Sequence, residues 1–276
     1  MLSNSLFSNL KKGVQHRLLG KGTRSFRALS IGWLRLKYLK HLPAGKTYQQ
    51  TLFGKTLLFN APQELIHGLK EIFLEEIYRQ PLPGHARILD CGANIGLSIL
   101  YLKKCCPTAR ITAFEPDEVN FDLLQRNMAA FEFSDITLRK EAVWKENTTV
   151  QFSNNQGMAS HIEQGAAMGS SSIKAIRLRD LLDEQIDFLK LDIEGAEYEV
   201  LMDCHDKLAN VQRMFIEYHG QFSTAGQFHE LLELITQNGF QYYLKEAAPI
   251  FETPFQRPPQ LEHPYQVQLN IFCFRD

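Results

Sequence analysis

The 276-residue sequence contains no C-x-x-C pair among its five cysteines, Cys91, Cys105, Cys106, Cys204 and Cys273. That absence excludes a zinc ribbon, and the odd count offers no secreted disulfide framework, so a reducing compartment is expected. No apolar run approaches the roughly 18 residues of a membrane span. Lys11, Lys12, His16 and Arg17 interrupt the stretch where a secretory signal would carry its apolar core. The expectation is a cytoplasmic protein, at most peripheral to the inner face of the membrane. Acids are missing from the whole N-terminal stretch: the first is Glu64, whereas eleven of the thirty Lys and Arg precede residue 60.

The net charge of −1 therefore conceals a basic arm, residues 1–60, on an acidic body, residues 61–276. Such an arm either folds back on the body or attaches to anionic lipid or polyanionic glycan. Phe26, Leu29, Trp33 and Leu36 recur at helical spacing and predict a basic amphipathic helix over 26–39. TYQQTLFGKTLLFN (47–60) reads as two short strands around Gly54. A helix is predicted over 63–79, with Pro81 and Pro83 beyond it.

From Ala86 onward the pattern becomes regular. The segments RIL, ITAFE, ITLRKEAVW, DFLKLDIE and RMFIEYH are short and apolar or β-branched, and all but the third run into a helical pattern. Near-continuous apolar strands alternating with helices argue for an α/β fold, a parallel sheet covered on both faces. QYYLKEA (241–247) and QVQLNIFCFRD (266–276) have no helix between them, which predicts a terminal antiparallel strand. Two stretches break the rhythm, 153–172 and 248–266, and both read as long irregular loops. They are the expected wall for a bound acceptor, where Phe251, Phe255 and Tyr265 offer ring faces to a sugar or a polyketide.

Ligands of open parallel sheets sit beyond the carboxyl ends of the strands. The first such turn here is ILDCGANIGLS, residues 88–98, with Asp90, Gly92, Ala93, Asn94 and Gly96 at its mouth. A dinucleotide loop places a glycine where this chain has Asn94, and Asp90 would repel a pyrophosphate. A phosphate-binding P-loop is excluded because no Gly-Lys-Ser/Thr follows. The turn suits a cationic nucleoside without phosphate, in which the glycines allow close approach and the carboxylate faces an ammonium or sulfonium. S-adenosylmethionine is that cofactor. Glu115, nineteen positions after Gly96, is placed to accept hydrogen bonds from the ribose hydroxyls, with Phe114 and Pro116 flanking the adenosine. The structural alternative is a tight strand-to-helix turn with Asn94 as the helix cap.

ILDCGANIGLS, AFEPDEVNFDLLQRN, EAVW, IRLRDLL, DFLKLDIEGAEYEVL and FIEYH, in that order, resemble the FkbM-type methyltransferases over roughly residues 86–220. The resemblance implies a class I methyltransferase fold, seven strands ordered 3-2-1-4-5-7-6. It also implies S-adenosylmethionine as methyl donor and a hydroxyl on a natural product or glycan as acceptor. It places Ala142 beside the adenine, where a small side chain leaves room for the base.

Strand alternation in DFLKLDIEG puts Phe188, Lys190, Asp192 and Glu194 on one face, an expensive arrangement for a buried strand unless the charges line a crevice or pair. The structural alternative is a Lys190–Asp192 pair with Glu194 capping the next helix. FIEYH places Glu217 and His219 on one face beside them. Methyl transfer to an alcohol needs a base for the hydroxyl proton; His219 is the first choice, with Asp192 or Glu194 next. Asp192, Glu194, Glu217 and His219, with Asp192, Glu217 and His219 as the minimal set, can also be read as ligands of a divalent ion that holds the alcohol. Two other readings compete. A nucleic-acid methyltransferase would grip phosphates with the basic arm, but the fourth strand ends in DIEG rather than N/D-P-P-Y/F and there is no Pro-Cys nucleophile. A non-catalytic, membrane-associated binding module would retain the fold alone.

Overall fold

The computed structural model describes residues 26–153, 161–163, 170–256 and 263–275. The chain divides into two compact units, one ending at Ile77 and one running from Tyr78 to the C-terminus. Residues 1–25 of the basic arm lie outside the described residues. Among the described residues no helix is long and apolar enough to cross a membrane.

In the first unit the helix predicted over 26–39 is broken. The backbone turns left-handed at Ser30, φ 59°, and α1 (Trp33–Lys40) starts only after Gly32. The apolar stripe is divided accordingly: Phe26, Leu29, Ile31 and Leu39 are buried, whereas Trp33 and Leu34 are exposed. The predicted hairpin is present as β1 (Tyr48–Leu52) and β2 (Lys55–Phe59), antiparallel with Leu52 opposite Lys55. Phe53 and Gly54 both have positive φ, 51° and 78°, the two-residue turn whose twist matches a hairpin. The following helix is shorter than the sequence suggests. α2 spans Pro62–Gly68 and widens into a π-helical segment over Leu69–Leu74. Glu75 N–H bonds back five residues to the Lys70 carbonyl, and Glu76 at φ 52° then ends the helix.

The second unit is built on a seven-stranded sheet. Its strands in chain order are β3 (Arg87–Cys91), β4 (Arg110–Phe114), β5 (Ile136–Arg139), β10 (Phe188–Leu191), β11 (Arg213–Gly220), β12 (Gln241–Glu246) and β13 (Val267–Phe274). In space the order is β12-β13-β11-β10-β3-β4-β5. β13 is antiparallel to both β11 and β12, and the other pairs are parallel. This is the 3-2-1-4-5-7-6 order of the class I methyltransferases. The crossovers run through α3 (Leu97–Cys105), α4 (Glu118–Phe131), α5 (Glu197–Asp203) and α6 (Ala225–Gln237). β3 and β10 are central, so their side chains are buried on both faces. Ile88, Leu89, Leu189 and Leu191 are at most 2% exposed, each contributing roughly 1.5–3 kcal/mol through burial. α3 is buried from Leu97 to Lys103, and Lys103 ends inside the protein by donating to the carbonyls of Ala109 and Pro107.

The segment ITLRKEAVW is not one strand. β5 stops at Arg139, and Ala142 opens β6 (Ala142–Trp144) in a different sheet. That sheet has the order β6-β9-β7-β8, with β7 at Thr148–Ser153, β8 at His161–Glu163 and β9 at Ser170–Arg177. The stretch 153–172, read as an irregular loop, therefore contributes strands; residues 154–160 and 164–169 lie outside the described residues. Its small polar composition hid them, because few of its residues are strong strand formers. Glu141 marks the break, ion-paired to Arg139 behind it and to Lys174 on β9.

Candidate functional site

The carboxyl ends of β3, β4, β10 and β11 bring together the residues singled out in the sequence. After β3 the chain turns through Gly92, Asn94 and Gly96, all with positive φ (88°, 47° and 95°). The two glycines are each required by close packing against the protein itself. A Cβ on Gly92 would lie 1.8 Å from the carbonyl oxygen of Asp192, and one on Gly96 would lie 2.6 Å from the Met128 terminal carbon and 2.8 Å from Leu124 on α4. Asn94 tolerates its left-handed backbone by accepting the Ile95 N–H on its own side-chain oxygen at 2.7 Å. It is not the helix cap, which falls at Gly96. Asn127 of α4 is fully buried and donates to the Ile95 carbonyl at 2.9 Å, which ties the turn to the helix behind it.

Asp90 is 0% exposed. It does face an ammonium, but the ammonium belongs to the protein: Lys190 Nζ lies 3.4 Å from its Oδ1, while Ser98 donates to Oδ2. The same Nζ donates to the Gly92 carbonyl at 2.6 Å and pairs with Asp192 at 3.2 Å. Burial opposes charge on Lys190, but Asp192 and Asp90 outweigh it and hold the ammonium well above its ordinary range. The lysine is thus a buried cation joining three segments.

Glu115, just past β4, is 6% exposed. One carboxylate oxygen accepts the Asn94 N–H at 2.8 Å and the other the Asp117 N–H at 2.9 Å. Burial pushes its carboxyl up to about 7, and these two amide bonds only partly offset it. Each oxygen keeps a second lone pair. Ala93 and Ala142 are buried and Pro116 half-buried, and the Gly92 and Ala93 N–H groups bond the Phe114 carbonyl at 3.0 and 2.9 Å. The turn and the end of β4 are therefore one hydrogen-bonded unit.

β10 ends at Leu191, so alternation does not carry Glu194 to the Lys190 face as the pattern suggests. Asp192–Gly195 is a loop with Glu194 at φ 58°. That loop nevertheless delivers Glu194 to His219, whose Nε2 is 3.7 Å from the carboxylate. Glu217 is 3.8 Å from the same nitrogen and accepts from Gln268, which also contacts Nε2. One donor atom each from Asp192, Glu194 and His219 fall within 4.8 Å of one another. The structure thus groups Glu194, in place of Glu217, with the other two.

Glu197 was not singled out in the sequence. It is 0% exposed, accepts the Ile193 and Gly195 N–H groups, and pairs with His219 Nδ1 at 3.1 Å. Glu194 does not cap α5, whose cap position is Ala196 with no side-chain cap bond; Glu197 instead ties down the loop that precedes the helix. Burial would push His219 down, but Glu197, then Glu194 and Asp192, carry it up to about 10. The surrounding carboxylates thus favour the protonated ring, against which a base role for His219 has to work. Burial raises Glu194 to about 9, opposed by His219. Tyr265 packs its ring 4.7 Å from His219 and donates its hydroxyl to the Glu194 carbonyl. It comes from the segment expected to wall the acceptor, of which 257–262 lie outside the described residues. Phe251 stacks on Phe222 at 5.8 Å, and Phe255 is exposed.

The profile of the methyltransferase FkbM domain matches residues 90–242, which contain every residue of this site except Tyr265 and Gln268. Methyltransferase 1 of Beauveria bassiana is 28% identical over 72% of this chain and 86% of its own length. The hexuronic acid methyltransferase AglP of Haloferax volcanii is 28% identical over 47% of this chain and 54% of its own. The 2-O-methyltransferase NoeI of Sinorhizobium fredii is 25% identical over 51% and 66%. With more than half of its length matched, and the turn after β3 and the ends of β10 and β11 inside the match, the chain belongs to the FkbM methyltransferase family.

Proposed function

We propose that the protein is an S-adenosylmethionine-dependent O-methyltransferase whose acceptor is a hydroxyl on a saccharide or polyketide-type small molecule. S-adenosylmethionine supplies the methyl group. The residues present fit that donor: Glu115 retains a lone pair on each oxygen for a ribose diol, Ala93 is small in the adjoining turn, and Ala142 is the small residue that the family resemblance puts beside the base. Asp90 acts indirectly by holding Lys190 and, through it, the turn.

The observation that carries the acceptor reading is the Asp192–Glu194–His219 face at the ends of β10 and β11, beside the donor turn. Transfer to oxygen needs an in-line hydroxyl and a local proton sink. This face offers groups that can orient the hydroxyl and take its proton, Asp192 directly or His219 once it has released its own, and Glu197 fixes the imidazole within it. The name of AglP, a hexuronic acid methyltransferase, supports a sugar-type acceptor, and that of NoeI, a 2-O-methyltransferase, supports transfer to oxygen. The test is incubation with labelled S-adenosylmethionine and a panel of uronic-acid oligosaccharides, neutral glycans and hydroxylated polyketides, followed by mild alkali. An alkali-stable methyl ether is expected. Label recovered only as an alkali-labile ester, or on nitrogen, would overturn hydroxyl transfer.

A further inference from the structure

Several carboxylates converge on His219. Glu197 reaches Nδ1, while Glu194 and Glu217 face Nε2 and Asp192 lies in the same donor group. Lys190 pairs with Asp192 and with Asp90.

The geometry suits a metal ion. Two ligands on opposite sides of a divalent ion at about 2.1 Å are about 4.2 Å apart. Cis ligands at the same radius are about 3.0 Å apart, and the donor atoms of Asp192, Glu194 and His219 lie within 4.8 Å of one another, so side-chain shifts on the order of an ångström close the set. His219, with a side chain 1% exposed, has its Nδ1 held by the fully buried Glu197 at 3.1 Å, which turns Nε2 toward the carboxylates. Such a carboxylate behind a histidine is the usual support of a metal-ligating imidazole. Glu194 Oε2 is buried and makes no hydrogen bond, and the Tyr265 hydroxyl on the Glu194 carbonyl anchors the loop that presents it.

We propose that Asp192, Glu194 and His219 bind a divalent metal ion, with manganese best suited to two carboxylates and one imidazole. Glu197 is a positioning residue that orients the imidazole. Resting on the proposed hydroxyl transfer, the ion's open positions would take the acceptor oxygen.

The test uses the full chain and Mn2+ alone, with no acceptor present. Loss of the free-ion electron paramagnetic resonance signal should show one saturable site, and pulsed spectra of the bound ion should show nitrogen coupling from His219. E194Q and D192N should each weaken Mn2+ binding at least tenfold while S-adenosylhomocysteine still binds, which reports that the variants are folded. Absence of saturable binding by the wild type, bound ion without nitrogen coupling, or unchanged affinity in both variants would overturn the site. Failure of the wild type to bind S-adenosylhomocysteine would instead overturn the donor reading and leave the manganese result to stand by itself.

Discussion

Replacing Glu115 by glutamine tests the donor side most sharply, because the change preserves shape and removes only charge and one acceptor. In the folded protein the carboxyl is raised from 4.5 to about 7, chiefly by burial. A group that holds its proton more tightly when folded contributes stability that is complete below pH 4.5 and lost as pH rises to 7. At 1.36 kcal/mol for each pH unit, the loss is about 3 kcal/mol. The glutamine of E115Q does not ionise, so the variant escapes that loss. It does, however, present an NH2 to one of the two amides that the carboxylate now accepts, which costs about 1–3 kcal/mol at every pH. Urea unfolding of the unliganded proteins should therefore show the variant less stable at pH 5 and recovering by about 3 kcal/mol, relative to wild type, by pH 9. S-adenosylhomocysteine binding should move the opposite way. At pH 8 the charged carboxylate strengthens the ribose hydrogen bonds, so E115Q should bind roughly 10- to 100-fold more weakly. Wild-type affinity should fall toward tenfold per pH unit below pH 7, while the variant's stays flat. Calorimetry giving a flat wild-type profile through pH 7, or equal affinities at pH 8, would refute the assignment of Glu115 to the ribose.

Two further substitutions address the frame of the site. K190M leaves Asp90 buried without its cation, and the denaturation midpoint should fall by the equivalent of about 3–5 kcal/mol; a loss below about 1 kcal/mol would show that the lysine is not the counter-charge. G92A forces a methyl to 1.8 Å from the Asp192 carbonyl at φ 88°. It should abolish S-adenosylhomocysteine binding and lower the melting temperature, and wild-type affinity in this variant would mean that the turn has room to move.

The sheet was legible because its central strands are almost purely apolar and each is separated from the next by a helical pattern. The strand ends were not. Charged residues beyond Leu191 continue the alternation on paper, yet Gly195, at φ 96°, and the left-handed Glu194 turn the chain out of the sheet. The site residues on β3, β4 and β11 could be found because they sit at strand ends, where a parallel sheet must place its ligands. Glu197 could not, because an acid in the first turn of α5 reads as an ordinary helix cap. Its contact with His219 exists only once β10 and β11 lie side by side. Asp90 shows the opposite failure: the chemistry inferred for it, a carboxylate facing a cation, is present, but the cation is Lys190 on the neighbouring strand. The split of ITLRKEAVW between two sheets had no periodic signature, since both halves are good strand formers.

The contact between Gly92 and the Asp192 carbonyl has a consequence for how this protein could change its acceptor. The donor turn and the exit of β10 meet backbone to backbone, with no side chain between them to absorb a displacement, and Lys190 clamps both from below. A mutation that shifts one is transmitted undamped to the other. Under the proposed transfer, remodelling for a new acceptor would fall on elements outside this joint, such as β7 of the second sheet and the segment around Phe251, whereas Tyr265 is held to the joint through the Glu194 carbonyl.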